Sequence, residues 1–391
     1  MQKISPYFIV GFLTLGITIG MLGASPFPQD DHFLYQKFIE VLAAGKLDLT
    51  IPGFHGSDFI AVIWHWIHPS SISQIEFQGF TALLLPLLAF LAGKAIYKSV
   101  ATGILLSCII ALMPFVSFVY LRGWTGPAYM CLMLLTIYGA ASSRKWTWLP
   151  WGLAIITKPF ALALLPIIIL YCPSKGSILK RYRQILLGLS IPALYVIIQY
   201  LQVGHILVGA HHGINELNVW NGPLRMIMNA AHALQMLFSV HNYYYPDPAL
   251  TGPGNMMHTS PLLIFLGLCA IFHRKRTKKS SIEERLPMAL FSGFIIGIAL
   301  NIPLDHMDHF YMQAGILCLI LAALPMLLQY PIWIPLVLAT LHFQWLYFYL
   351  QYNSPFSLGW TFFALPIVVD VLFGLYVLYT YVLKKHVVMK L

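Results

Sequence analysis

The chain has 391 residues, of which 59% are hydrophobic and only 9% charged, against about 25% charged in ordinary soluble domains. With a mean hydropathy of +0.76, that balance excludes a soluble globular protein, and continuous rather than alternating apolar runs select membrane helices over a closed barrel. The net charge of +10 is not a nucleic-acid signal, because the placement of the basic residues accounts for it.

In chain order, residues 7–25 form a first span with Lys3 before it. The segment resembles a secretory leader, but the many spans that follow make it a first anchor. A long outside loop, 26–78, comes next. Within it, His32 to Lys46 is amphipathic: Leu34, Phe38, Val41 and Leu42 fall at helical spacing, with Gln36, Lys37 and Glu40 off that stripe. Pro28 and Asp30 or Asp31 open this run and Gly45 closes it, the pattern of a capped helix lying at the interface. A semi-apolar piece, Phe59 to Trp64, follows, flanked by His55, His65 and His68.

Spans are expected near 79–97, 99–121 and 126–142. The stretch Trp146 to Cys172 is too long for one span and is broken at Lys158-Pro159, where proline ends a helix. Basic residues flank it on both sides, so it must return to where it started: two short helices, a re-entrant pair meeting near Lys158. A span near 184–203 leads to a second long outside loop, 204–260, with an interfacial helix at 223–240. Further spans fall near 261–273, 286–302, 310–328, 331–350 and 360–383. The expectation is an all-α polytopic bundle of about twelve hydrophobic segments, one membrane domain over 1–391 with no soluble domain.

With the N-terminus in the cytoplasm, eighteen Lys and Arg fall inside and five outside: Lys37, Lys46, Arg122, Lys158 and Arg225. That asymmetry places both termini in the cytoplasm of a plasma (inner) membrane and the chemistry on the periplasmic or luminal face. Glu283 and Glu284 lie inside, Asp370 within the membrane, and the other ten acids outside. The five cysteines sit in or beside apolar runs and show neither a disulfide framework nor a metal spacing.

The outside face gathers Asp30 and Asp31, the cations Arg122, Lys158 and Arg225, and the late cluster Asp305-His306-Met307-Asp308-His309. Ionisable groups held at the mouth of a bundle mark a substrate path. Plainer roles exist for each: an acidic N-cap, snorkelling anchors at Arg122 and Lys158, an interface pin at Arg225. The Asp305 to His309 cluster has the oxygen and imidazole ligands a divalent cation takes, and equally those of a solvated turn.

The order of one span, an acidic pair, an amphipathic helix, an Arg and Pro in a short joint, and the broken Gly152-Leu-Ala-Ile-Ile-Thr-Lys158-Pro159 resembles the GT-C superfamily of integral-membrane glycosyltransferases, over roughly 1–330. These enzymes include the protein O-mannosyltransferases and the aminoarabinose and lipopolysaccharide glycosyltransferases. The resemblance implies a polyprenyl-phosphate-linked sugar donor, a lipid or glycan acceptor, and Asp30 or Asp31 as general base, Asp30 being preferred on the reading of Asp31 as the cap. Arg122, Lys158 and Arg225 would hold the donor phosphate. Many members carry an acid where Gly126 stands, so Asp305, Asp308 and His309 become candidates for the acceptor side. No metal or cofactor is required, a divalent cation at the late cluster being the one alternative. A polysaccharide polymerase or ligase, and a secondary transporter built around Asp370, are the competing functions.

Overall fold

The computed structural model describes residues 5–22, 30–51, 53–113, 125–172, 178–204, 227, 260–272, 282–300 and 309–341, with the backbone alone at 19–22, 30–31, 178–181, 261, 272 and 309–311. Among them every regular element is helical. The helices are α1 (Pro6–Leu22), α2 (Asp30–Ala43), α3 (Asp58–Ile67), α4 (Ser73–Tyr97), α5 (Val100–Leu112), α6 (Gly126–Ala141) and α7 (Trp148–Thr157). A 3₁₀ stretch, Pro159–Leu164, leads into α8 (Leu165–Tyr171) and α9 (Ile178–Val203). Then come α10 (Pro261–Phe272), α11 (Ile282–Ala299) and α12 (His309–Gln329), followed by a short helix α13 over 333–341.

Twelve segments are expected from the sequence. Among the described residues three helices are long and apolar enough to cross a membrane: Ser73–Tyr97, Tyr182–Val203 and Met312–Gln329. The last expected span, 360–383, lies outside the described residues, as does most of the 204–260 loop. Three starts differ from expectation by four residues or more, α9 beginning at Ile178 instead of 184. Helix α4 begins at Ser73 instead of 79, and α11 at Ile282 instead of 286. The polar first turns of α4 read as loop in sequence, but their side chains have tertiary partners: Gln74 Oε1 with His32, Gln78 Oε1 with the Ala128 amide, and Glu76 with Trp64 and His68.

The main apolar core runs through α4, α5, α6, the α7–α8 region, α10, α11 and α12. Helices α4 and α6 lie parallel: the Ala128 amide donates to Gln78 Oε1 at 3.1 Å and Cys131 Sγ to Thr81 O at 3.2 Å. The far ends of these helices therefore share a level, and the broken segment begins and ends there. At its start Thr147 donates to Arg144 O (2.7 Å) beside Gly139, and at its end Tyr171 OH donates to Ile96 O (3.4 Å). Trp151 Nε1 bridges the two halves to Ala161 O at 3.0 Å. The segment goes out, turns at Lys158 and comes back. Lys158 is extended (φ −154°, ψ 121°), as the residue before a proline is driven to be, and Pro159 has no amide with which to continue α7.

The loop after α1 is a packed layer. The stripe of α2 expected to face the interface is turned onto protein: Phe38 and Ile39 are fully buried, and Leu34, Val41 and Leu42 pack on the same clusters. Phe38 shares its cluster with Leu49, Ile51, Ile156 and Tyr195, so α2 rests on the end of α7 and on α9. Burying a side chain of this size contributes about 1.5–3 kcal/mol. Helix α2 ends as its glycine dictates. The Gly45 amide donates to Leu42 O and the Lys46 amide to Val41 O, with Gly45 at φ +81°, the paired bonds of a left-handed helix stop that costs glycine least.

Candidate functional site

Two pieces of the expected site fall in the described region, the start of α2 and the turn at Lys158. Helix α2 already contains Asp30 and Asp31 as its first two residues. Neither stands before the helix as a cap, which removes the reason for preferring Asp30 over Asp31. In register, Asp31 shares the i, i+4, i+7 row with Tyr35 and Phe38, both buried, while the same row from Asp30 holds the half-buried Leu34 and the exposed Lys37. The helix is held to α4 just beyond the aspartates. His32, 1% exposed, meets Gln74 Oε1 through Nδ1 at 3.1 Å; Gln36 accepts from the Gln74 amide (3.1 Å) and donates to Ser70 O (2.9 Å) and Glu40 (2.8 Å). Burial pushes the His32 imidazole below its ordinary value, with the Gln74 and Ser71 hydrogen bonds and the Glu40 charge pulling the other way.

Lys158 is half-buried at the turn between α7 and the 3₁₀ stretch. Against the end of α7 just before it dock Ile51 and residues 53–58. The Gly56 amide donates to Ile156 O at 3.1 Å, and a Cβ on Gly56 would collide with Leu153 O and the Thr157 amide. Only glycine allows that approach. From the third side Tyr195 OH of α9 donates to Gly53 O at 3.3 Å. Helix α2 completes the layer: its Phe38 ring stacks on His55, centroids 3.8 Å apart and 5° from parallel, with Tyr35 edge-on at 5.8 Å. The acid-bearing helix and the helix end before the lysine turn thus both pack on one short segment.

That segment holds a pair sequence reading missed. His55 and Asp58 are both fully buried, with Nδ1 2.9 Å from Oδ2. Burial raises the Asp58 carboxyl, and the hydrogen bond and charge of His55 oppose the rise. The available signal was His-Gly-Ser-Asp at a helix start, whose i, i+3 spacing lets the two side chains meet.

The other expected site residues lie elsewhere. Arg122, Arg225, Asp305 and Asp308 are outside the described residues, and His309 is the first residue of α12, known by its backbone. The cation reading of the Asp305 to His309 cluster falls outside with them. Among the described residues no three His, Cys, Asp or Glu are grouped to hold a metal ion.

No protein-family model and no curated protein sequence matches the chain. Among solved structures it is similar to the oligosaccharyltransferase of Archaeoglobus fulgidus in its apo form, at 11% identity and a TM-score of 0.47, over 96% of this chain and 56% of that one. The chain thus spans little more than half the length of that protein.

Proposed function

We propose that this chain is an integral-membrane glycosyltransferase that moves a sugar from a polyprenyl-phosphate-linked donor to a lipid or glycan acceptor. The supporting observation is the shared segment of Ile51 and residues 53–58, against which both the aspartate-bearing α2 and the end of α7 just before Lys158 are packed. A carboxylate and a cation are what such a transfer needs. The acceptor hydroxyl is a poor nucleophile until a carboxylate takes its proton. Its oxygen then bonds to the anomeric carbon from the face opposite the phosphate, the carbon–oxygen bond to phosphate breaks, and the phosphate departs with the electron pair, inverting the centre. The leaving group is already a stable anion, so a cation stabilises it without an acid to protonate it.

In this scheme Asp31 is the base, since it stands in register with the buried Tyr35 and Phe38, and Asp30 supports the helix start. Lys158 holds the donor phosphate, with Arg122 and Arg225 as further cations. Asp305, Asp308 and His309 belong to the acceptor side, and the site faces the periplasm or lumen. Transfer of radiolabelled sugar from polyprenyl-phosphate donors by the purified chain in lipid is the test. Transfer that Lys158→Gln weakens supports the reading; a preparation that binds such donors but never releases free polyprenyl phosphate contradicts it.

A further inference from the structure

His55 and Asp58 have no part in the transfer chemistry above, yet burying an ionisable pair carries a desolvation cost that only good geometry and further hydrogen bonds offset. Both are supplied. Beside the 2.9 Å Nδ1–Oδ2 contact, His55 Nε2 stands 3.0 Å from Ile51 O, and the Ser57 hydroxyl donates to Asp58 Oδ1 at 3.4 Å. A carbonyl oxygen only accepts, so Nε2 carries a hydrogen. A second hydrogen lies between Nδ1 and Oδ2, and whichever atom holds it the pair is neutral as a whole.

The pair closes the segment on itself. His55 reaches back to Ile51 and forward to Asp58, which fixes the turn whose Gly56 touches Ile156 and Thr157 immediately before Lys158. The same imidazole carries α2 through the Phe38 stack. The rotation of one ring therefore sets two things, the seat of α2 and the path of the turn behind Lys158.

We propose that His55 and Asp58 are a positioning pair, which holds the aspartate-bearing helix at a fixed offset from the Lys158 turn. Its consequence for turnover rests on the transferase reading; the positioning itself does not. A misplacement of about 1 Å between reacting groups costs on the order of 10²-fold in rate, so a pair remote from substrate can govern kcat.

The test uses the full chain in lipid nanodiscs with its five cysteines replaced, spin labels on Lys37→Cys of α2 and Leu149→Cys of α7, the helix that ends at the Lys158 turn, both exposed positions. Asp58→Leu leaves Nδ1 buried without its partner; it should broaden the distance distribution and lower kcat by about 10²-fold with little change in donor KM. In Asp58→Asn the amide donates to Nδ1 while Nε2 still donates to Ile51, so both the narrow distribution and the turnover should return. A distribution unchanged in Asp58→Leu overturns the proposal, as does Asp58→Asn as impaired as Asp58→Leu. If Asp58→Leu does not accumulate, Phe38→Leu, which removes the stack and keeps an apolar side chain, should broaden the distribution, and an unchanged one overturns the proposal equally. Broadening in a protein without any transfer activity supports the positioning pair and removes the transferase reading.

Discussion

The Gly56 amide donates to Ile156 O at 3.1 Å, two residues before Lys158. This bond ties the outside loop to the broken helix, and there is no space at the contact for any side chain. Gly56→Ala should therefore force the backbones apart, at a cost of about 1–3 kcal/mol. Gly45→Ala is the control. It has nothing within 4 Å, so its cost is that of a left-handed residue alone, about 1–2 kcal/mol. Thermal unfolding in detergent should show both losses, but only Gly56→Ala should also disturb labels placed across the Lys158 turn.

His32 gives a pH dependence with a definite sign. Unfolded, it titrates near 6.5, and burial lowers its value in the folded protein. As pH falls below about 6.5 the opened form takes the proton first, so the attachment of α2 to α4 weakens with acidification and is complete above that value. Hydrogen exchange of α2 amides, corrected for intrinsic rates, should show protection falling between about pH 7.5 and pH 5. His32→Gln should flatten the change. Protection independent of pH in the unaltered chain would rule out this role for His32.

Lys158 is expected to act on donor binding more than on the chemical step. A hydrogen bond to a charged group is worth about 1.5–3 kcal/mol, so Lys158→Gln should raise donor KM by roughly 10–100-fold, with a smaller effect on acceptor KM. Steady-state kinetics with each substrate varied in turn separates the two. An effect confined to the acceptor would move Lys158 to the other side of the site.

Phe38→Ala tests the layer itself. The ring is fully buried between His55, Phe59 and the Ile156 cluster, and removing a buried Phe costs about 3–5 kcal/mol. Because the stack is extramembrane in the expected topology, the loss should be visible as proteolysis within the 30–58 region before the bundle melts.

Much of this arrangement is legible in the sequence because it follows from local rules. Pro159 forces Lys158 to extend, Gly45 stops α2, and the 3.6-residue stripe of Phe38, Val41 and Leu42 marks a buried face. What that face meets is a tertiary fact: the stripe reads equally well as lipid-facing and as protein-facing, and the structure turns it onto Ile156 and Tyr195. The start of α4 was hidden for the same reason. Gln74, Glu76 and Gln78 look like loop until His32, Trp64 and the Ala128 amide are brought to them. His55 and Asp58 are hardest to see, since two polar residues in a Gly- and Ser-containing turn read as solvated, and their burial depends on α2, α7 and α9 closing over them.

In the proposed transfer, the first turn of α2 carries the base. General-base loss typically costs about 10²–10⁴-fold in rate, and Asn preserves the size of Asp without accepting a proton. Transfer from a polyprenyl-phosphate-linked donor, measured for Asp31→Asn and Asp30→Asn in membranes with matched expression, decides it. Asp31→Asn should lose turnover by that factor while Asp30→Asn keeps most of it; near-normal turnover in Asp31→Asn would rule out Asp31 as the base.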